Sequence, residues 1–80
     1  MILEVTGGRI YDMTDSVYDG FMEAGVSMDE ADRNYDFDNY GDIIEIQVSS
    51  EADDWMKYED ILFEVADFID KEGLYEATIL

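Results

Sequence analysis

The chain has 80 residues, and 22 Asp and Glu against four Lys and Arg give a formal net charge of −18 at pH 7. The length fits one domain, residues 1–80, with no room for a second. The absence of Cys excludes disulfides and thiolate metal sites, and the absence of His removes the commonest general base. The chain is 48% hydrophobic and 14% aromatic, which predicts folding, because disordered acidic chains lack such residues.

The sequence also indicates where the protein acts. It begins Met-Ile-Leu-Glu-Val, without the basic start or the apolar run of a signal peptide. No apolar run is long enough to span a bilayer. Anionic lipids and nucleic-acid phosphates both repel so acidic a chain. We therefore expect a cytoplasmic protein that contacts neither a membrane nor nucleic acid directly.

The N-terminal part predicts a strand and then a helix. Residues 2–5 read as a short strand, and after two glycines residues 9–12 read as the returning arm of a hairpin. Thr14 or Asp15 is predicted to cap a helix with apolar residues on one face. Gly25 is predicted to end that helix.

The central part predicts a short helical turn and two strands. Ser27 stands three residues before Glu30, which is the spacing of a capping box. Residues 35–38 alternate between aromatic and acidic side chains, as in a half-exposed strand. A turn is predicted over 39–42 and a strand over 43–48.

The C-terminal part predicts the longest helix, over residues 51–72, followed by a strand over 74–80. Ser49 and Ser50 are candidate caps, and Gly73 is the predicted end. The predicted buried stripe consists of Tyr58, Leu62, Val65 and Ile69, flanked by Trp55, Ile61 and Phe68. The expected fold is α+β, with a small antiparallel-rich sheet of three to five strands and two helices on one face. The ferredoxin-like arrangement is one version of it.

The acidic residues form rows on the predicted elements. Like charges four residues apart destabilise a helix, and solubility alone requires only mixed charges. The rows therefore favour a basic partner over a merely solvated or halophilic surface. The predicted partner-binding acids are Asp15, Asp19 and Glu23 on the first helix, Asp36, Asp38 and Asp42 around the central turn, and Asp53, Asp60, Glu64 and Asp67 on the long helix.

Two apolar residues extend this predicted interface. Met56 and Phe63 fall outside the buried stripe of the long helix and stand among acidic residues. An apolar residue ringed by charge is typical of an interface anchor. The alternative is that another segment covers both side chains.

Other chemistries fit less well. Residues 36–47 can be aligned with a calcium-binding EF-hand loop, but Tyr40 and Gln47 occupy ligand positions, and the flanks predict strands rather than helices. No serine has a histidine to activate it, and no pair of carboxylates is singled out for catalysis. We expect no enzyme activity, no catalytic residues, no metal ligands and no cofactor.

In size, charge, lack of catalytic residues and acidic rows such as Asp15, Asp19 and Glu23, the chain resembles small acidic nucleic-acid mimics. These include phage-encoded anti-CRISPR and anti-restriction proteins and inhibitors of DNA-repair glycosylases. The resemblance implies a stoichiometric inhibitor, a monomer or homodimer, that occupies the nucleic-acid-binding surface of a CRISPR or restriction complex in a bacterial host. The alternatives are an immunity or antitoxin-type inhibitor of a basic nuclease, and a divalent-cation-binding or halophilic acidic module.

Overall fold

The computed structural model describes all 80 residues and contains four strands and three helices. The elements in chain order are β1 (Leu3–Thr6), α1 (Ile10–Glu23), α2 (Met28–Asn34), β2 (Tyr35–Tyr40), β3 (Ile43–Val48), α3 (Trp55–Glu72) and β4 (Glu76–Ile79). Their order confirms the α+β class, with α2 as a third helix of seven residues.

The four strands form one sheet in the order β2-β3-β1-β4, and every neighbouring pair is antiparallel. β3 therefore lies between β1 and β2, which run parallel to each other. The chain connects β1 to β2 through α1 and α2, and β3 to β4 through α3. This connectivity is the split βαβ arrangement of ferredoxin-like proteins, with α2 inserted before β2.

The core lies between one face of the sheet and the pair formed by α1 and α3. Alternate strand residues point inward, and Leu3, Val5 and Ile46 are fully buried. Phe21 of α1 packs on Tyr35 of β2, with ring centroids 4.6 Å apart. The opposite face of the sheet has no helix packed on it, so its side chains are left to solvent.

α1 and α3 approach closely at Gly20. A Cβ atom there would lie 3.0 Å from Cγ1 of Val65 and 3.2 Å from Cδ1 of Phe68. Both distances are shorter than an ordinary van der Waals contact between carbon atoms. The missing side chain therefore sets the separation of the two helices.

A chain of polar contacts connects α2, β2 and α3. The Tyr35 hydroxyl donates to the Tyr58 carbonyl at 2.7 Å, and the Tyr58 hydroxyl donates to Oε2 of Glu30 at 2.9 Å. Burial raises the pKa of Tyr35, and the hydrogen bond to Glu30 is the largest cause that raises the pKa of Tyr58. Both tyrosines thus belong to the framework and not to a binding surface.

The predicted start of the first helix is wrong. α1 begins at Ile10, so residues 9–12 are not a hairpin arm, and neither Thr14 nor Asp15 is the cap. The Thr14 hydroxyl donates to the Ile10 carbonyl at 2.7 Å inside the helix. Met13 is fully buried, so the apolar stripe begins a turn earlier than predicted.

The predicted start of the long helix is also wrong, whereas its end is confirmed. α3 begins at Trp55, because the Asp54 side chain accepts the N–H of Lys57 at 3.1 Å. The Ser49 hydroxyl instead accepts the N–H of Glu51 in the preceding turn. Gly73 ends α3 with φ +73°, a left-handed conformation that glycine adopts without strain.

The remaining predicted elements are confirmed with small shifts. The Ser27 hydroxyl accepts the N–H of Glu30 and caps α2. The predicted strand 43–48 is β3. The turn before it contains only Gly41 and Asp42, because Tyr40 pairs directly with Ile43.

Candidate interaction surface

The uncovered face of the sheet is strongly acidic. Side chains alternate along each strand, so the residues between the core positions point to this face. Its carboxylates are Glu4 of β1, Asp36 and Asp38 of β2, Glu45 of β3 and Glu76 of β4. Among these, Asp36 and Asp38 are predicted partner-binding residues, whereas Glu4, Glu45 and Glu76 are not in the predicted set.

Three of these carboxylates form a row across neighbouring strands, which we call the sheet row: Asp38, Glu45 and Glu4. Asp38 lies directly opposite Glu45, and Glu45 lies directly opposite Glu4. Cβ atoms of directly opposed residues stand ~4.5–5.5 Å apart, and like charges at that spacing are destabilising. We therefore expect the sheet row to lower the free energy of unfolding of the unbound protein.

The alternation of backbone hydrogen bonds places Glu45 and Glu4 closest together. Ile2 and Leu80 exchange both of their backbone hydrogen bonds, which makes them a hydrogen-bonded pair of β1 and β4. Glu4 lies two residues after Ile2, so it forms the same kind of hydrogen-bonded pair with Thr78 of β4. The backbone N–H and C=O groups of Glu4 therefore point toward β4 and not toward β3. Glu4 and Glu45 are therefore a non-hydrogen-bonded pair, for which the Cα separation is ~4.5 Å rather than ~5.5 Å.

Tyr40 borders the sheet row, and the charges of the row raise the pKa of its hydroxyl. A hydrogen bond to the Glu45 carboxylate is the largest cause that raises the pKa of Tyr40 to about 12. The charges of Glu45, Asp38 and Glu4 raise the pKa in the same direction. Tyr40 is 52% exposed and lies at the border of the acidic face.

No basic residue lies on the strands of this face. The chain has four Lys and Arg in total, and none of them lies on a strand. Arg9 precedes α1, Arg33 lies on α2, and Lys57 and Lys71 lie on α3. The strands of the sheet face therefore carry no positive charge, and Arg9 is the one basic residue that lies near one end of the face, beside Thr6, Asp42 and Ile43.

The helices carry the other predicted acidic residues. Asp15, Asp19 and Glu23 are all exposed on α1, and we call them the α1 row. The exposed acids Asp60, Glu64 and Asp67 form the α3 row. The two rows meet at a groove between the helices that Glu23, Glu64 and Asp67 line together.

The groove between the helices is less negative than its acids alone imply. Lys71 also lines it, and Nζ of Lys71 lies 2.9 Å from Oδ2 of Asp67. This ion pair raises the pKa of Lys71, with the hydrogen bond to Asp67 as the largest cause. On α3, Lys57 similarly lies 3.6 Å from Oε2 of Glu30.

The predicted partner-binding acids thus fall on opposite sides of the molecule. Asp36 and Asp38 lie on the sheet face, whereas the α1 and α3 rows lie on the helices. Asp42 is exposed in the turn between β2 and β3. Asp53 precedes the start of α3, so it is not part of the α3 row as predicted.

The predicted apolar anchors are exposed. Met56 is 80% exposed and Phe63 is 50% exposed, so no other segment covers them. Trp55, which is predicted to flank the buried stripe, is also 47% exposed. The buried stripe itself is confirmed, since Tyr58, Leu62, Val65 and Ile69 are all buried.

The calcium-loop alternative does not match the geometry. Residues 36–47 form most of the β2–β3 hairpin, with carboxylates distributed along strands rather than wrapped around one point. No group of three or more Asp or Glu side chains is arranged to hold a metal ion. No helix is both long enough and apolar enough to cross a membrane.

No known protein family, curated protein or solved structure matches the chain. The fold and surface define a small acidic α+β protein whose split βαβ sheet is covered on one face and anionic on the other.

Proposed function

We propose that the protein is a stoichiometric inhibitor that imitates nucleic acid and occupies the nucleic-acid-binding surface of a basic protein. The sheet row carries this proposal. Its carboxylates are held at steps of ~5 Å on rigid strands, which is the scale of the ~3.4 Å axial spacing of phosphates along one DNA strand. Lys and Arg of a partner would pair with these carboxylates in place of phosphates.

The energetic cost of the row supports a role in binding. Directly opposed carboxylates destabilise the sheet, and a surface that only needed solubility would mix Lys among them. A basic partner would neutralise the row and recover the lost energy in the complex. The same negative field would steer the partner toward this face and raise the rate of encounter.

The targets that fit are bacterial defence complexes of CRISPR or restriction type. Such complexes bind nucleic acid in basic channels, and blocking the channel requires no catalytic group on the inhibitor. An immunity-type inhibitor of a basic nuclease would use the same electrostatics against a different target. The identity of the captured partner separates these two functions.

The test is capture from a bacterial lysate with charge-matched variants. The immobilised protein is exposed to nuclease-treated lysate at near-physiological salt, and bound proteins are challenged with DNA or RNA. We expect one nucleic-acid-binding complex to be retained in stoichiometric amount and to be displaced by nucleic acid. Replacing the sheet row by Glu4→Gln, Asp38→Asn and Glu45→Gln should abolish retention.

The matched control removes the same charge from the α1 row through Asp15→Asn, Asp19→Asn and Glu23→Gln. This variant should retain the partner, because it leaves the sheet face intact. If the α1 variant lost the partner while the sheet-row variant retained it, the binding surface would be assigned to the helices. A scatter of basic proteins without a stoichiometric partner would refute nucleic-acid mimicry.

A further inference from the structure

The two edges of the sheet differ in charge. β2 forms one edge and carries Asp36 and Asp38, whereas β4 forms the other and carries one charged side chain, Glu76, at its first residue. Proteins usually protect edge strands with charge, proline or a bulge, because a free edge pairs with other strands. In a chain with a net charge of −18, residues 77–79 of β4 carry no charged side chain, so a second copy meets less repulsion there than along β2.

The free edge of β4 presents a defined set of backbone groups. Leu80 exchanges its backbone hydrogen bonds with Ile2, and the register places Thr78 opposite Glu4. Because hydrogen-bonding direction alternates along a strand, Leu80 and Thr78 bond to β1. The N–H and C=O groups of Ala77 and Ile79 therefore point away from β1, in the plane of the sheet, toward the free edge.

A flank of α3 that carries two exposed apolar side chains, beside the acidic residues Glu59 and Asp70, lies above this edge. Val65 contacts α1 at Gly20, and Phe63 lies ~160° away from Val65 around the helix axis. Met56 is two turns earlier on the same flank as Phe63. Because α3 packs on β4, the flank that faces away from α1 lies on the β4 side.

We propose that two copies of the chain associate through antiparallel pairing of their β4 strands. A two-fold axis at Thr78 places Ala77 of each copy opposite Ile79 of the other, so that the outward N–H and C=O groups satisfy one another. In this register Glu76 faces Leu80 of the second copy, and the two Glu76 carboxylates stay apart. Phe63 and Met56 of the two α3 helices then face each other across the axis.

The dimer joins the two acidic faces into one eight-stranded sheet. Thr78 continues the sheet row beyond Glu4, so the row of one copy runs directly into the row of the other. Eight strands at ~4.8 Å spacing extend the row over roughly 34 Å, which is about one turn of B-DNA. The association itself rests on the edge geometry, and only its use against a target rests on the proposed function.

The first experiment is sedimentation equilibrium of the full chain over a micromolar to millimolar range, in salt sufficient to screen the net charge. We expect the mass to rise from 9.2 kDa to twice that value. Ala77→Pro removes an N–H that points to solvent and keeps every β1–β4 hydrogen bond. It should raise the dimer dissociation constant by roughly 10-fold or more, whereas Ala77→Ser, which keeps the N–H, should not.

A charge exchange at the axis tests the register. In this register Thr78 of one copy lies directly opposite Thr78 of the other. Thr78→Lys and Thr78→Asp should therefore each weaken the homodimer through repulsion of like charges, and an equimolar mixture of the two variants should form a heterodimer. Circular dichroism confirms that each variant is folded.

A monomer at every concentration would overturn the proposal and leave the β4 edge for a strand of another protein. A dimer that is insensitive to Ala77→Pro would place the contact elsewhere. Neither measurement involves the target, so failure here is separate from failure of the proposed function.

Discussion

Glu45→Gln should make the protein more stable, although it removes a native charge. Glu45 lies directly opposite both Asp38 and Glu4, so one substitution relieves two repulsive contacts. Two unit charges ~5 Å apart repel by ~0.8 kcal/mol at the dielectric constant of water, before screening by salt. Glutamine keeps a side-chain oxygen that can accept a hydrogen bond from Tyr40.

We expect the free energy of unfolding to rise by about 1 kcal/mol at low ionic strength after both repulsions are screened. For a domain of this length, that gain corresponds to a rise of roughly 4–8 °C in Tm. Thermal unfolding followed by circular dichroism measures the change. In 1 M NaCl, where the screening length is ~3 Å, most of the gain should disappear.

Asp67→Asn is the matched control, because it removes the same charge from a carboxylate that is paired with Lys71. An exposed pair of this kind contributes only ~0.3–0.5 kcal/mol, so the control should raise Tm less than Glu45→Gln or lower it. Equal gains from both variants would show that only the total charge matters. A loss of stability in Glu45→Gln would refute the account of the sheet row.

Three further predictions concern the framework and the surface. Gly20→Ala should lower Tm, because contact with Val65 and Phe68 outweighs the ~1 kcal/mol gain in helix propensity; a higher Tm would mean that the helices can separate at little cost. Burial raises the pKa of Tyr18 to about 12, and the hydrogen bond to Glu45 raises that of Tyr40 to about 12. Because these folded-state pKa values exceed the ordinary value of 10.0, their stabilisation is complete below pH 10 and should be lost as pH rises through 12. The midpoint of urea unfolding, measured as a function of pH together with tyrosinate absorbance, tests this prediction. A midpoint that stays constant up to pH 12 would contradict it. Added NaCl should raise Tm while it weakens retention of the target, and a steady fall in Tm with salt would contradict the role of repulsion.

Local patterns in the sequence predicted much of the fold. The alternation in 43–48 and the stripe of Tyr58, Leu62, Val65 and Ile69 were sufficient to predict β3 and most of α3. The start of α1 has no conventional signal, because Arg9 precedes the helix without any side-chain cap. The start of α3 has such a signal in Asp54, but Ser49 and Ser50 are equally good caps by residue type, so the local sequence does not choose among them.

The candidate surface was only partly predictable, because it depends on strand register. Acids spaced four apart on a helix are visible in one sequence segment, and the α1 row was predicted in that way. Glu4, Asp38 and Glu45 lie on three strands that are distant in the sequence, and only the pairing brings them together. The one local signal was that Glu4 and Glu45 each stand between apolar residues on a strand, which places a charge on the face opposite the core.

The uncovered sheet face lies outside the packing that stabilises the fold. Its side chains fill no part of the core, so substitutions there change the surface while Leu3, Val5 and Ile46 continue to hold the layers together. Substitutions that remove a carboxylate of the sheet row, such as Glu45→Gln, should even raise the free energy of unfolding. If the face binds a target as proposed, substitutions that change its pattern of carboxylates can alter which partner is bound without unfolding the protein.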